Sequence, residues 1–145
     1  MINVKLKYLS DKISRPEYAT RGSCGMDLSA AIGTSFVLRA GERALVSTGI
    51  AMQIPKGYGG IICSRGGLAA KKGIIVCNAP GIIDSDYTGE VKVLLQNISD
   101  EDYTVKTGDR IAQVIFVPVE AANLVIVDSL EETMRGSRGF GSTGK

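Results

Sequence analysis

A chain of 145 residues, 44% of them hydrophobic, fits one domain with a real core. Its charge is nearly balanced, 17 basic against 15 acidic side chains for a net +2, so no overall excess draws it to nucleic acid. With no histidine it can hold neither a histidine triad, an imidazole base nor an HExxH zinc site, and its 3 cysteines (Cys24, Cys63, Cys77) form neither a CxxC pair nor a disulfide scaffold.

Ile2, Val4, Leu6 and Tyr8 alternate with Asn3, Lys5 and Lys7, which predicts a half-buried opening strand. That alternation is no signal-peptide core, and no apolar stretch approaches membrane-spanning length. The expectation is therefore a cytoplasmic or otherwise intracellular protein with no membrane partner. A polar loop over residues 10–23 leads to expected strands at 24–31 and 36–38 and a turn at Ala40-Gly41-Glu42-Arg43. Two short strands follow, 44–50 and 51–54, joined near Gly49 and stopped by Pro55-Lys56-Gly57.

Residues 58–63 read as a strand entering Ser64-Arg65-Gly66-Gly67, and 68–72 as a helix of one or two turns. Residues 74–77 and 81–83 suggest the arms of a hairpin with Asn78-Ala79-Pro80 at its tip. Beyond Gly89, the apolar residues crowded into 91–95 (Val91, Val93, Leu94, Leu95) suggest a strand covered on both faces. Strands at 103–105, 111–119 and 124–127 complete the pattern. Short strands at near-regular spacing predict an all-β fold, a sandwich, jelly roll or barrel, with one short helix. Residues 1–132 form the β domain, and 133–145 are the one segment detached in composition.

That last segment carries Arg135, Gly136, Arg138, Gly139, Phe140, Gly141, Ser142, Thr143, Gly144 and Lys145. Glycine has no side chain to bury and is costly to order, so the segment builds no core. Its donors suit a phosphate chain, and Phe140 suits a flat ring. A frayed terminus is the plain alternative.

Four further polar islands interrupt the strands: Gly25-Met26-Asp27-Leu28; Ser64-Arg65-Gly66-Gly67-Leu68-Ala69; Asn78 through Gly81 to Asp84-Ser85-Asp86-Tyr87-Thr88-Gly89; and Gly108-Asp109-Arg110-Ile111-Ala112-Gln113. Each alone reads as an ordinary turn. In this order, with the glycine-rich tail as fifth, they resemble the motifs of the trimeric deoxyuridine triphosphatase (dUTPase) family over nearly the whole chain.

The resemblance implies a jelly-roll-like subunit, a homotrimer and three shared sites. Each site takes the first, second and fourth islands from one subunit, the third from a neighbour and the arm, 133–145, from the remaining one. It implies hydrolysis of dUTP to dUMP and pyrophosphate. Asp84 would place and activate the attacking water, a natural role for a carboxylate where histidine is absent. Tyr87 would pack on the deoxyribose and leave no room for a 2'-hydroxyl. Asn78 and the backbone near Gly81 would read uracil at a tip too narrow for the methyl of thymine. Arg65, Gln113 and the NH groups of Gly66 and Gly67 would hold the phosphates, whose charge grows in the transition state. From the arm, Phe140 would stack on uracil while Arg135, Ser142, Thr143 and Gly144 close over the phosphates. Asp27, Asp86 and Arg110 are supporting residues. Asp27 braces the site or the trimer centre, Asp86 shapes a turn, and Arg110 pairs with Asp109 or Asp27. Mg²⁺ is expected on the triphosphate and its waters, with no protein-bound metal site.

Two positions depart from the family pattern. Gly66 stands where a serine hydroxyl ordinarily meets the bridge between α and β phosphates, and one lost transition-state donor costs on the order of a hundredfold in rate. Arg138 replaces a usual arm glycine. The sequence thus leaves a second reading, a weakened or inactive dUTP-binding regulator of the same fold. A dCTP deaminase is disfavoured because residues 74–83 contain no acid to activate water at the base.

Overall fold

The structure is a computed structural model and describes residues 1–11, 13 and 15–139. Period-two burial is clearest in the strand Glu90–Asn97, where Val91, Val93, Leu95 and Asn97 turn inward, as a pleated backbone requires. In chain order the strands are β1 (Lys5–Tyr8), β2 (Met26–Ser29), β3 (Phe36–Leu38), β4 (Arg43–Gln53), β5 (Tyr58–Cys63), β6 (Ile74–Val76), β7 (Gly81–Ile83), β8 (Glu90–Asn97), β9 (Tyr103–Val105) and β10 (Arg110–Pro118). One helix, α1 (Gly66–Lys72), interrupts them between β5 and β6.

The strands form two antiparallel four-stranded sheets, ordered β1-β4-β8-β6 and β2-β10-β5-β7, with β3-β9 as a side pair. Leu28 and Val114 from one sheet join Val46, Ile74, Val93 and Leu95 from the other in one buried aliphatic cluster. This is the jelly-roll-like sandwich expected from the sequence. Among the described residues no helix is long and apolar enough to cross a membrane.

Three local expectations change. The two strands expected either side of Gly49 are one, β4, whose pairing with β8 shifts register between Ser47 and Ala51. Gly49 has φ 67, a left-handed conformation that lets the chain bulge there without ending the strand. The supposed hairpin arms do not pair with each other. β6 joins β8 in one sheet while β7 joins β5 in the other, so the tip at 78–80 crosses between sheets. Finally, 124–127 is not a strand; residues 119–139 contain neither helix nor strand. Leu124 and Ile126 there are 89% and 99% exposed, with no described residue of the chain covering them.

The helix α1 begins two residues earlier than expected, with Arg65 extended before it at φ −84, ψ 121. It ends where Gly73 turns left-handed and donates its N–H to Ala69 O. None of its residues is buried, so it is placed by the strands on either side.

Candidate active site

Strand order builds the first half of the site. β10 lies between β2 and β5, which sets Gln113 opposite Asp27 on one side and opposite Cys63 on the other. The first, fourth and second islands therefore occupy adjacent lanes of one sheet. Arg65 Nε donates to Asp27 Oδ1 at 2.7 Å, and its Nη2 to Oδ2 at 3.4 Å. Arg110 Nη1 donates to the same Oδ2 at 3.1 Å, and Arg65 Nη1 to the Arg110 carbonyl at 3.3 Å. Gln113 Nε2 donates to Ser64 O at 3.0 Å, while Ser64 Oγ accepts the Val76 N–H at 2.8 Å.

One carboxylate thus serves two guanidinium groups and leaves a unit of positive charge over. Arg110 pairs with Asp27 and not with Asp109, whose Oδ2 instead accepts the Lys106 N–H at 2.8 Å and closes its own turn. Asp27 is 21% exposed in its side chain, so these bonds are partly shielded from water. Beside them, a cleft of about 390 Å³ is lined by Arg65, Gly67, Leu68, Lys71, Lys72 and Tyr103. A Cβ added at Gly66 or Gly67 would meet nothing within 4 Å. Burial first, and then the Asp109 charge, raise the Tyr103 pKa above its ordinary 10.0, which keeps the hydroxyl a donor. Sequence reasoning passed over Lys71 and Lys72. Their signal was a position directly after the second island on its short helix.

The second half is a loop. Asn78, Gly81, Asp84 and Tyr87 share a cleft of about 330 Å³ with Ile82, Leu45 and the face of β8 carrying Glu90 and Lys92. Asp84 is exposed. The Tyr87 N–H donates to Asp84 O at 3.2 Å and the Tyr87 hydroxyl to Glu90 O at 2.8 Å, which draws residues 84–90 into a tight arch. Tyr87 lies outside any strand and is 46% exposed, so its ring is no element of sheet packing. Glu90 Oε1 accepts the Gly49 N–H at 3.0 Å, and Lys92 Nζ lies 3.6 Å from its Oε2. Glu90 and Lys92 also escaped sequence reasoning, although they are the polar alternates of an otherwise apolar strand. Asp86 is exposed and lines, with Asp84 and Ser85, a broader groove bounded by Lys5, Lys56 and Tyr58.

Among the described residues the two halves line separate clefts. The cleft at Asp84 includes no residue of the first, second or fourth island, and the cleft at Arg65 none of the third. Arg135 is exposed and donates from Nε to Arg138 O at 3.0 Å; it lines neither cleft. Phe140, Ser142, Thr143 and Gly144 lie outside the described residues. Among the described residues no three His, Cys, Asp or Glu side chains gather as a metal cage.

Comparison with known proteins gives a consistent result. The dUTPase family model matches residues 11–144. The deoxyuridine 5'-triphosphate nucleotidohydrolase of Anaplasma marginale (strain St. Maries) is 48% identical over 99% of both chains. That of Wolbachia pipientis wMel is 52% identical over 99% of this chain and 97% of its own. Among solved structures, the Staphylococcus bacteriophage 80alpha dUTPase with dUPNHPP superposes with a TM-score of 0.91 at 28% identity, covering 100% of both chains.

Proposed function

The chain belongs to the dUTPase family, and from that premise we propose that it hydrolyses dUTP to dUMP and pyrophosphate by attack of water on the α-phosphorus. The observation that carries the proposal is the meeting of Asn78, Gly81, Asp84 and Tyr87 on one cleft. On this reading the cleft brings together a base reader, Asn78, a sugar-facing ring, Tyr87, and an exposed carboxylate, Asp84. Asp84 orients the water and takes its proton, since no histidine exists to do so. Tyr87 covers the deoxyribose where a 2'-hydroxyl would sit, and Asn78 with neighbouring backbone groups matches the uracil edge.

Arg65, Gln113 and the NH groups of Gly66 and Gly67 receive the phosphates, with Asp27 and Arg110 bracing Arg65. Mg²⁺, brought by the substrate, would supply charge neutralisation at the leaving pyrophosphate, while Arg65 and the Gly66 and Gly67 NH groups hold the phosphates.

Because the two halves of the site open on different clefts of one chain, a working site needs two copies. A closed ring of three subunits supplies them, each lending its loop half to a neighbour. The exposed Leu124, Val125, Ile126 and Val127 provide apolar surface for such assembly. The glycine-rich arm then closes the site, with Arg135, Ser142, Thr143 and Gly144 on the phosphates and Phe140 on the base.

A slower variant of the same reaction has one specific observation in its favour. Ser64 Oγ is turned to the Val76 N–H, so it does not stand in for the hydroxyl missing at Gly66. The test is release of dUMP and pyrophosphate with Mg²⁺, offering dUTP, UTP, dTTP and dCTP in parallel. Turnover of dUTP alone is expected. Tight binding of dUTP without turnover would favour the regulator, and neither binding nor turnover would overturn the proposal.

A further inference from the structure

The arch from Asp84 to Glu90 holds a close approach that its function as a sugar wall depends on. A Cβ built at Gly89 would stand 2.7 Å from Tyr87 Oη, 2.8 Å from Cζ and 3.0 Å from Cε2. Carbon atoms in contact sit at roughly 3.5–4.0 Å, so no side chain fits there while the ring stays where it is. The backbone is not the reason for glycine, since Gly89 is absent from the glycines with positive φ. The three nearest atoms all belong to one tyrosine. The nearest of them, the hydroxyl, also fastens the ring by donating to Glu90 O at 2.8 Å.

We propose that Gly89 is a specificity-positioning residue: its missing side chain lets the Tyr87 ring lie back across its own loop, and the Glu90 carbonyl pins it as the wall that rejects a 2'-hydroxyl. The inference rests on the reading of Tyr87 as the sugar-facing ring and deepens it. A larger residue at position 89 does not need to unfold the loop. Tyr87 is 46% exposed, so the ring has solvent to swing into, and what is lost is its position.

The experiment measures kcat/KM for dUTP, UTP and dTTP with wild type, Gly89→Ala, Tyr87→Ala and the double variant. Gly89→Ala is expected to lower the dUTP-to-UTP ratio by about tenfold, within the range one shape-based contact supplies. The dUTP-to-dTTP ratio, set at Asn78, should stay within about twofold, a separation that general loosening of the loop would not give. Adding Gly89→Ala to Tyr87→Ala should change the UTP ratio no further, because the group it displaces is gone.

A Gly89→Ala ratio equal to wild type, with Tyr87→Ala low, overturns the inference and leaves the reading of Tyr87 standing. A Tyr87→Ala ratio equal to wild type overturns both. Should Gly89→Ala alone fail to fold, the double variant must fold, since the three colliding atoms are absent; failure of the double variant too overturns the inference.

Discussion

The two halves of the proposed site are built in opposite ways. The half at Arg65 is made by strand register. Asp27, Gln113 and the end of β5 are neighbours in one sheet, and hydrogen bonds of 2.7–3.4 Å tie Asp27, Arg65 and Arg110 together. The half at Asp84 is a loop thrown between β7 and β8, exposed at Asp84, Asp86 and Tyr87 and held by the arch that Tyr87 closes. Phosphate charge is the same for every nucleotide, so its receiver gains from being fixed in advance. Recognition of uracil and deoxyribose needs a shape, and a loop supplies one. On the proposed reading, dividing the two between clefts that share no lining residue ties activity to assembly.

The sharpest way to break this comparison uses two variants that each disable one half. Arg65→Ala removes a phosphate receiver and Asp84→Asn the water-placing carboxylate. Loss of a positioned base costs about 10²–10⁴ in rate, so Asp84→Asn should be close to silent alone. In a ring where each site joins one chain's phosphate half to its neighbour's loop half, every mixed trimer regains one intact site. Equal amounts of the two variants, co-expressed and assembled at random, should then recover about a quarter of wild-type activity. No recovery in trimers shown to be mixed would place both halves of each site in a single chain.

Gly66→Ser tests whether the fixed half is complete. A Cβ at Gly66 meets nothing within 4 Å, so the substitution should leave the unfolding midpoint where it is. Restoring a donor at the α–β bridge should raise kcat by up to about a hundredfold with little change in KM. An unchanged kcat would mean that another donor already serves that oxygen.

Asp27→Asn probes the bracing itself and should act more mildly. Arg65 keeps its charge and its bond to the Arg110 carbonyl but loses the carboxylate that aims it. About a tenfold fall in kcat/KM for dUTP is expected, shared by any nucleotide that is turned over, because only the common phosphate end is disturbed. The stability cost should be near 1 kcal/mol, since the ion pairs are partly exposed. A change in the dUTP-to-UTP ratio would contradict the division of labour between the halves.

How much of this was legible beforehand follows the same division. Alternation revealed β1, and β3, β5 and β9 were readable at their observed bounds, whereas β8, expected to be covered on both faces, buries only alternate residues. The polar islands contain Arg65, Gly67 and Leu68 of one cleft and Asn78, Gly81, Asp84 and Tyr87 of the other, but not the polar lining residues Lys71, Lys72, Tyr103, Glu90 and Lys92. Pairing was not legible. Residues 74–83 look like a hairpin because a turn signal between two apolar runs is local, whereas the choice of partner strand is made by the rest of the sheet. Gly49 misled for a related reason, since a glycine that bulges a strand and one that ends it share one signature. The strand expected at 124–127 has the right composition, but composition does not supply a partner, and it pairs with neither sheet of the described residues although both keep open edges. The sequence left Arg110 a choice of Asp109 or Asp27, and register decides for Asp27; the tie of Asp27 to Arg65, 38 positions away, was not anticipated.

The smallest expected effect concerns Tyr103, the one ring on the Arg65 cleft. Burial and then the Asp109 charge both disfavour its phenolate, so its folded pKa stands above the ordinary 10.0. A proton held more tightly in the folded than in the unfolded state adds stability that is complete below the unfolded value of about 10. That contribution is lost as pH rises through the folded value. Wild type should therefore lose unfolding midpoint above pH 10 more steeply than Tyr103→Phe, while the two run parallel at neutral pH. Asp109→Asn should remove only the lesser cause, so that the alkaline loss becomes slightly smaller and is complete at a lower pH. In that variant the phenolate absorbance of Tyr103 should also titrate earlier than in wild type. If Tyr103→Phe and wild type lose stability in parallel above pH 10, the ring is not shielded, and the fixed half is more open to water than its bonding suggests.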